Sequence, residues 1–98
     1  MNQQDANALL VRANEADQVL RNPLVIQAID AMRADLYAKL TDTTWRQRSA
    51  REAIYHQLKA IDNFEAQFRH HINNGKLATS WLDQYRATQE LKRSRRRA

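Results

Sequence analysis

The side chains with the clearest chemical potential lie at the end of the chain, where basic residues follow one another. Between residues 92 and 97 the cations are Lys92, Arg93, Arg95, Arg96 and Arg97, with no acidic residue among them. Such groups bind phosphates through charge, and guanidinium groups also bind carboxylates in bidentate geometry. Residues 1–90 hold eleven basic and eleven acidic residues, so their formal charges cancel. The net charge of +5 therefore belongs to the basic tail, which we define as residues 92–98.

The basic tail has three interpretations that the sequence leaves open. It could bind nucleic acid through phosphates, without base readout, because five charges cannot encode a base sequence. It could bind an acidic protein surface, or it could be a solvated terminus that aids solubility. Trp81 and Tyr85, one helical turn apart and near the tail, are candidate docking aromatics. They could stack on bases or enter a groove of a partner protein.

The other reactive side chains do not form a pattern typical of an enzyme or a metal centre. His56, His70 and His71 lack the spacing of a zinc site, which needs an i,i+4 pair or its equivalent and further ligands. Asp62 and Glu65 share a helical face, but a basic residue follows one turn later, as in an ordinary ion pair. The chain has one glycine and no cysteine, which excludes a glycine-rich phosphate loop and a thiol nucleophile. We therefore expect no catalytic residue, metal, cofactor or small-molecule substrate.

A small basic patch also lies at the predicted start of the third helix, at Arg46, Arg48 and Arg51. The turn before this patch contains no glycine, and the flanking helices are too long for a helix-turn-helix reader of DNA. A sequence-specific transcription factor is therefore disfavoured.

Length and composition favour one helical domain. Ninety-eight residues include one glycine and one proline, whereas ordinary composition has about 7% and about 5% of these residues. Few turns are then available, so long helices are expected. No apolar run reaches the roughly 18–20 residues that span a bilayer, and the polar start is not a signal peptide. We expect a protein without a membrane segment, and the missing cysteines fit a reducing compartment.

Capping residues and apolar periodicity predict the helix boundaries. Asp5 is predicted to cap a first helix, and Asn22-Pro23 to open a second. The segment 41–44 is predicted to be a short loop. A third helix of about 30 residues is predicted to end at Gly75 in the left-handed conformation. A separate last helix is predicted from about residue 79 to the basic tail.

The third predicted helix carries an apolar stripe that we expect to form the core or an assembly surface. Its members are Trp45, Ile54, Leu58, Ile61, Phe64, Phe68 and Ile72. The expected fold class is all-α, with the second and third helices in an antiparallel hairpin and with flanking N- and C-terminal helices. Residues 1–91 are expected to form a single domain. Because the third helix is longer than the second, the apolar residues at its far end must be buried by the terminal helices or by a second subunit.

The central part of the chain resembles a group of small helical proteins of tailed bacteriophages, commonly from virion or head-assembly genes. The shared features are Asn22-Pro23 opening a helix, a Thr/Asp loop after it, and Arg51-Glu52 near the start of a long helix. That helix closes at residues 74–78, which read Asn-Gly-Lys-Leu-Ala. The resemblance covers residues 22–78 and leaves out the basic tail.

The resemblance implies a non-enzymatic structural or morphogenesis protein of a phage, located in the virion or the host cytoplasm. Its partners would be further copies or other virion proteins, with the basic tail contacting DNA or an acidic capsid or portal surface. Two alternatives stay open: an inhibitor or regulator that binds a host protein, and a free non-specific nucleic-acid-binding protein.

The apolar stripe generates a prediction about its central residue. Ile61→Asp should unfold the protein or dissociate an assembly, because an unpaired carboxylate in an apolar contact costs roughly several kcal/mol. Thermal melts followed by circular dichroism measure the effect. An unchanged melt would mean that residue 61 does not face an apolar contact.

Overall fold

The computed structural model describes residues 1–97, which fold into three α-helices. They are α1 (Gln3–Arg21), α2 (Pro23–Thr41) and α3 (Arg48–Arg97). The all-α class is confirmed, but α3 is 50 residues long because the third and fourth predicted helices are one helix. The prediction of a separate C-terminal helix is therefore wrong. Residues 92–97 of the basic tail belong to the end of α3, and Ala98 lies outside the described residues.

Side-chain oxygens cap the first two helices. The Asp5 amide donates to Asn2 Oδ1 at 2.8 Å, so Asn2 caps α1 and the prediction of Asp5 as the cap is wrong. The expectation for α2 is confirmed, because Asn22 Oδ1 accepts a hydrogen bond from the Leu24 amide at 2.9 Å. Pro23 is the first residue of α2, where an amide N–H has no partner within the helix, so the missing N–H of proline costs no helical hydrogen bond.

The loop between α2 and α3 is longer than predicted and contains Trp45. Gln47 Oε1 accepts from the Thr44 amide at 2.8 Å, and the Gln47 amide donates to the Thr44 carbonyl at 3.0 Å. This closed turn precedes the first residue of α3, Arg48. Trp45 is 81% exposed, so it does not belong to the core, and its role in an assembly surface stays a prediction.

The chain divides into two units, each with its own small core. One unit is Gln18–Phe68, and the other is Met1–Asp17 together with α3 from Arg69 onward. In the first, the buried core residues are Ile29, Leu36, Ile54 and Ile61, with Val25, Leu40 and Leu58 packed against them. In the second, they are Ala6, Ala78 and Leu82, with Leu9, Leu10 and Trp81 packed against them.

Polar contacts in the Gln18–Phe68 unit set α2 against the first half of α3. Arg33 donates to Asp62 and Glu65, both at 2.8 Å, and Arg51 donates to Thr43 Oγ1 at 2.8 Å. Arg33, in the middle of α2, thus contacts α3 at residues 62 and 65, whereas Thr43, just after α2, contacts α3 at residue 51. This order of contacts is consistent with the expected antiparallel hairpin. The hydrogen bonds to Asp62 and then Glu65 also raise the pKa of Arg33.

The predicted apolar stripe is buried only in part. Ile54 and Ile61 are buried and Leu58 is half-buried, as expected of a core face. Phe64 is 50% exposed and touches Phe68 edge-on, with ring centroids 5.1 Å apart. Phe68 and Ile72 are half-buried. The stripe therefore supplies a core at its centre and exposed aromatic surface at Phe64.

In the other unit, α1 and α3 approach closely at Gly75. This glycine is buried inside α3, and a Cβ on it would lie 2.2 Å from Ala13 Cβ. None of residues 1–97 has a positive φ, so the prediction that Gly75 ends a helix in the left-handed conformation is wrong. The physical reason is steric, because the missing side chain at position 75 makes room for Ala13. The expectation from the resemblance that the long helix closes at residues 74–78 is also wrong, because α3 continues through them to Arg97.

This contact predicts the effect of moving one methyl group across the interface. Gly75→Ala would favour an isolated helix by about 1 kcal/mol. Here we expect it to destabilise the protein, because overpacking costs about 1–3 kcal/mol. Adding Ala13→Gly should restore most of the loss, since the other atoms near a Cβ at position 75 are 3.7 Å or more away. Urea unfolding followed by circular dichroism compares the two single variants with the double variant.

The control is Ala87→Gly, an exposed helical position that should cost only the ordinary propensity of glycine, about 1 kcal/mol. Equal stability of Gly75→Ala and the wild type, or a double variant no better than Gly75→Ala, would contradict the steric argument.

Candidate functional site

The predicted docking aromatics lie together on the second half of α3. The rings of Trp81 and Tyr85 are stacked, with centroids 5.3 Å apart and planes inclined by 14°. Trp81 is half-buried because it also packs against the Ala6, Ala78 and Leu82 cluster. Tyr85 is 37% exposed. Trp81 therefore supports the core of its unit, while Tyr85 is the ring more open to a partner.

Two cations of the basic tail continue the line of this aromatic pair. Trp81, Tyr85, Lys92 and Arg96 follow at intervals of four, seven and four residues, which place them on one face of a helix. A groove of about 300 Å³ lies along this face and is lined by Trp81, Gln84, Tyr85, Thr88, Gln89 and Lys92. No acidic residue lines it. This face of α3 thus carries aromatic rings at one end and positive charges at the other, with no acidic residue lining the groove between them.

A neighbouring face of the same helix has mixed charge. Its groove, of about 310 Å³, is lined by Tyr85, Arg86, Gln89, Glu90 and Arg93. Glu90 stands four residues after Arg86 and three before Arg93, at spacings that bring side chains together on a helix. The carboxylate therefore offsets part of the positive charge on this face. Tyr85 and Gln89 line both grooves.

The cations of the basic tail have two opposing effects on the stability of the end of α3. Its cations between residues 92 and 97 are exposed, and three of them lie in the last turn, at Arg95, Arg96 and Arg97. Cations at a helix C-terminus are each favourable by about 0.3–1 kcal/mol. Like charges three or four residues apart, such as Lys92 with Arg96, cost about 0.2–0.5 kcal/mol per pair. An anionic partner would keep the first effect and relieve the second.

The described residues show no cluster of three or more His, Cys, Asp or Glu side chains that could hold a metal ion. His70 Nε2 lies 3.3 Å from Asn74 Nδ2, and the His70 and His71 rings are 6.0 Å apart and tilted. His56 contacts the neighbouring Tyr55 ring edge-on. These histidines have local neighbours in α3 that are not metal ligands.

A second surface was not foreseen from the sequence as a site. In the Gln18–Phe68 unit, the exposed Trp45 lines a groove of about 420 Å³ together with Arg48, Arg51 and Tyr55. The basic patch was visible in the sequence, but Trp45 was expected in a stripe with Ile54 and Leu58 that forms the core or an assembly surface. The signal that could have found this surface is Thr44 with Gln47 three residues later, a capping pattern that places Trp45 directly after the cap and outside the interior of the helix.

None of α1, α2 and the described part of α3 is both long and apolar enough to cross a membrane. No protein-family model, curated protein or solved structure matches this chain.

Proposed function

We propose that this chain is a non-enzymatic structural or morphogenesis protein of a bacteriophage, which assembles through its helices and contacts DNA or an acidic capsid or portal surface through the end of α3. The observation that carries the proposal is the helical face that joins Tyr85 to Lys92 and Arg96. An aromatic ring beside cations is suited to a polyanion that also offers flat or apolar groups. The proposed location is the virion or the host cytoplasm.

Electrostatics supports the anionic partner. The five cations of residues 92–97 stand on a helix with no acid among them, while residues 1–90 have balanced formal charges. Binding to phosphates releases counterions and lowers the repulsion between the cations. Such contacts are made to the backbone of the nucleic acid and carry no base sequence.

Exposed apolar side chains support assembly with other proteins. Leu24 is 75% exposed, Leu77 65% and Leu91 61%. The core contains few large side chains, and Phe64, Tyr37 and Tyr55 are each at least half exposed. Large apolar residues at a surface mark interaction sites when they lie together, and Leu77 stands four residues before Trp81 on α3, one helical turn away. Many copies in one assembly would also strengthen a weak contact of each basic tail through effective concentration.

A free nucleic-acid-binding protein is the second candidate, favoured by the same aromatic and basic face. It differs from the first in needing no other virion protein and no place in a particle. The two experiments below separate the candidates, because one measures nucleic-acid binding and the other measures assembly.

The first prediction concerns DNA binding across a salt series. If the tail contacts up to five phosphates, log K should fall with log salt at a slope no steeper than about −4.5 on duplex DNA. A variant with Gln at all five tail cations should lose this binding while keeping the chain length. Fluorescence anisotropy with a labelled duplex of arbitrary sequence measures both. Arg12→Gln, an exposed cation of α1, is the matched control and should bind as the wild type does.

Binding that persists in the five-Gln variant would contradict the role of the tail. Absence of binding in both proteins would leave an acidic protein surface as the anionic partner and remove the second candidate.

The second prediction concerns assembly. The purified chain should sediment as an oligomer, or should be present in stoichiometric amounts in purified particles of its source, because its exposed apolar side chains need cover. Analytical ultracentrifugation and quantitative mass spectrometry of particles measure the two. A strict monomer that is missing from particles would overturn the structural role and favour a free binding protein.

A further inference from the structure

The groove beside Trp45 has the composition of a binding site for a protein segment. It measures about 420 Å³, within the size range of ligand clefts, and lies in the Gln18–Phe68 unit. Leu40 and Leu58 line it and also pack against the buried core, which holds these two side chains in place. Trp45 and Tyr55, which are 81% and 55% exposed, supply aromatic surface.

Arginine side chains lie at this apolar groove. Arg48 and Arg51 line it, and the Arg46 guanidinium lies 5.2 Å from the centre of the Trp45 ring. Arg51 is held by its hydrogen bond to Thr43 Oγ1 at 2.8 Å. Within residues 1–97, neither Arg46 nor Arg48 forms an ion pair. Arg48 in the lining of the groove, and Arg46 beside the Trp45 ring, are therefore available to a carboxylate from outside.

A second groove in the same unit shows the contrast. It measures about 300 Å³ and is lined by Met32, Leu36, Ile61 and the pair Asp35 and Lys39. Lys39 Nζ lies 3.0 Å from Asp35 Oδ2, so the cation at this groove already has its anion. The Trp45 groove differs in that Arg48, which lines it, has no ion-pair partner among residues 1–97.

We infer that the Trp45 groove binds a segment of another protein in which a carboxylate stands close to a large apolar side chain. The apolar side chain packs against Leu40, Leu58 and the aromatic rings, and the carboxylate binds Arg48 with Arg46. Tryptophan and arginine are the residue types that most often dominate binding energy at protein interfaces. Glu52 also lines the groove, four residues after Arg48, and its negative charge offsets part of the positive charge there. The remaining positive charge suits one carboxylate better than a run of phosphates. This surface is separate from the basic tail and does not depend on the function proposed for it.

A selection experiment identifies the chemistry of the partner without knowing its name. A yeast-displayed library of random dodecapeptides is selected on the full-length protein and counter-selected on Trp45→Ala. The variant should fold as the wild type does because Trp45 is 81% exposed, and circular dichroism checks this. Enriched peptides should carry Asp or Glu within about three residues of a large apolar residue. Binding of a synthetic copy should weaken about tenfold or more in Arg48→Gln, as expected for loss of a charged contact.

The two tryptophans of the chain, Trp45 and Trp81, report where the peptide binds. The peptide should shift the indole N–H signal of Trp45 in a nitrogen–proton correlation spectrum and leave that of Trp81 in place. Arg12→Gln is the control for loss of a cation elsewhere and should bind the peptide with wild-type affinity.

Several outcomes would overturn the inference. These are failure to enrich any peptide that prefers the wild type to Trp45→Ala, and enriched peptides without an acidic residue. A twelve-residue oligothymidine that shifts the Trp45 signal at lower concentration than the peptides would make the groove a nucleic-acid site. A shift of that signal with protein concentration alone would assign the groove to a second copy of this chain.

Discussion

The structure depends on covering a 50-residue helix with two shorter ones. An isolated helix gains little in water, and most helical stability in proteins comes from burying an apolar face. In the Gln18–Phe68 unit, α2 supplies aliphatic side chains, with Ile29 and Leu36 meeting Ile54 and Ile61. In the other unit, α1 supplies the buried Ala6 with Leu9 and Leu10 around it, and the missing side chain at Gly75 makes room for Ala13. The same helix is thus held by two kinds of packing.

The sequence was informative where local chemistry decides the structure. The start of α2 could be predicted because it depends on neighbouring residues: Asn22 accepts a hydrogen bond from the amide two positions later, and Pro23 is the first helical residue. The helical class follows from a single glycine and a single proline. Ile54 and Ile61 were placed correctly in the core because their spacing reports one helical face.

The sequence misled where a long-range contact decides the role of a residue. Gly75 follows two asparagines and reads as a helix end, yet its partner is Ala13, more than sixty positions away in the chain. Trp45 misled for a local reason, because it reads as the first member of the apolar stripe, whereas a turn between Thr44 and Gln47 delays the helix. The predicted aromatic pair is brought together as a stack, and residues 92–97 continue the same helix. Their binding roles stay predictions, because the sequence and the fold contain no bound partner.

The fork formed by Arg33 has a consequence for the alignment of α2 on α3. The aliphatic residues of this core resemble one another in shape and polarity, so sliding by one turn, about 5.4 Å, would still join apolar surfaces. Such a slide would break the simultaneous 2.8 Å contacts from Arg33 to Asp62 and to Glu65. Glu65 is the more shielded acid, with a side chain 14% exposed against 66% for Asp62. Arg33 thus favours one register among neighbours that apolar packing alone distinguishes poorly, because that register keeps both contacts.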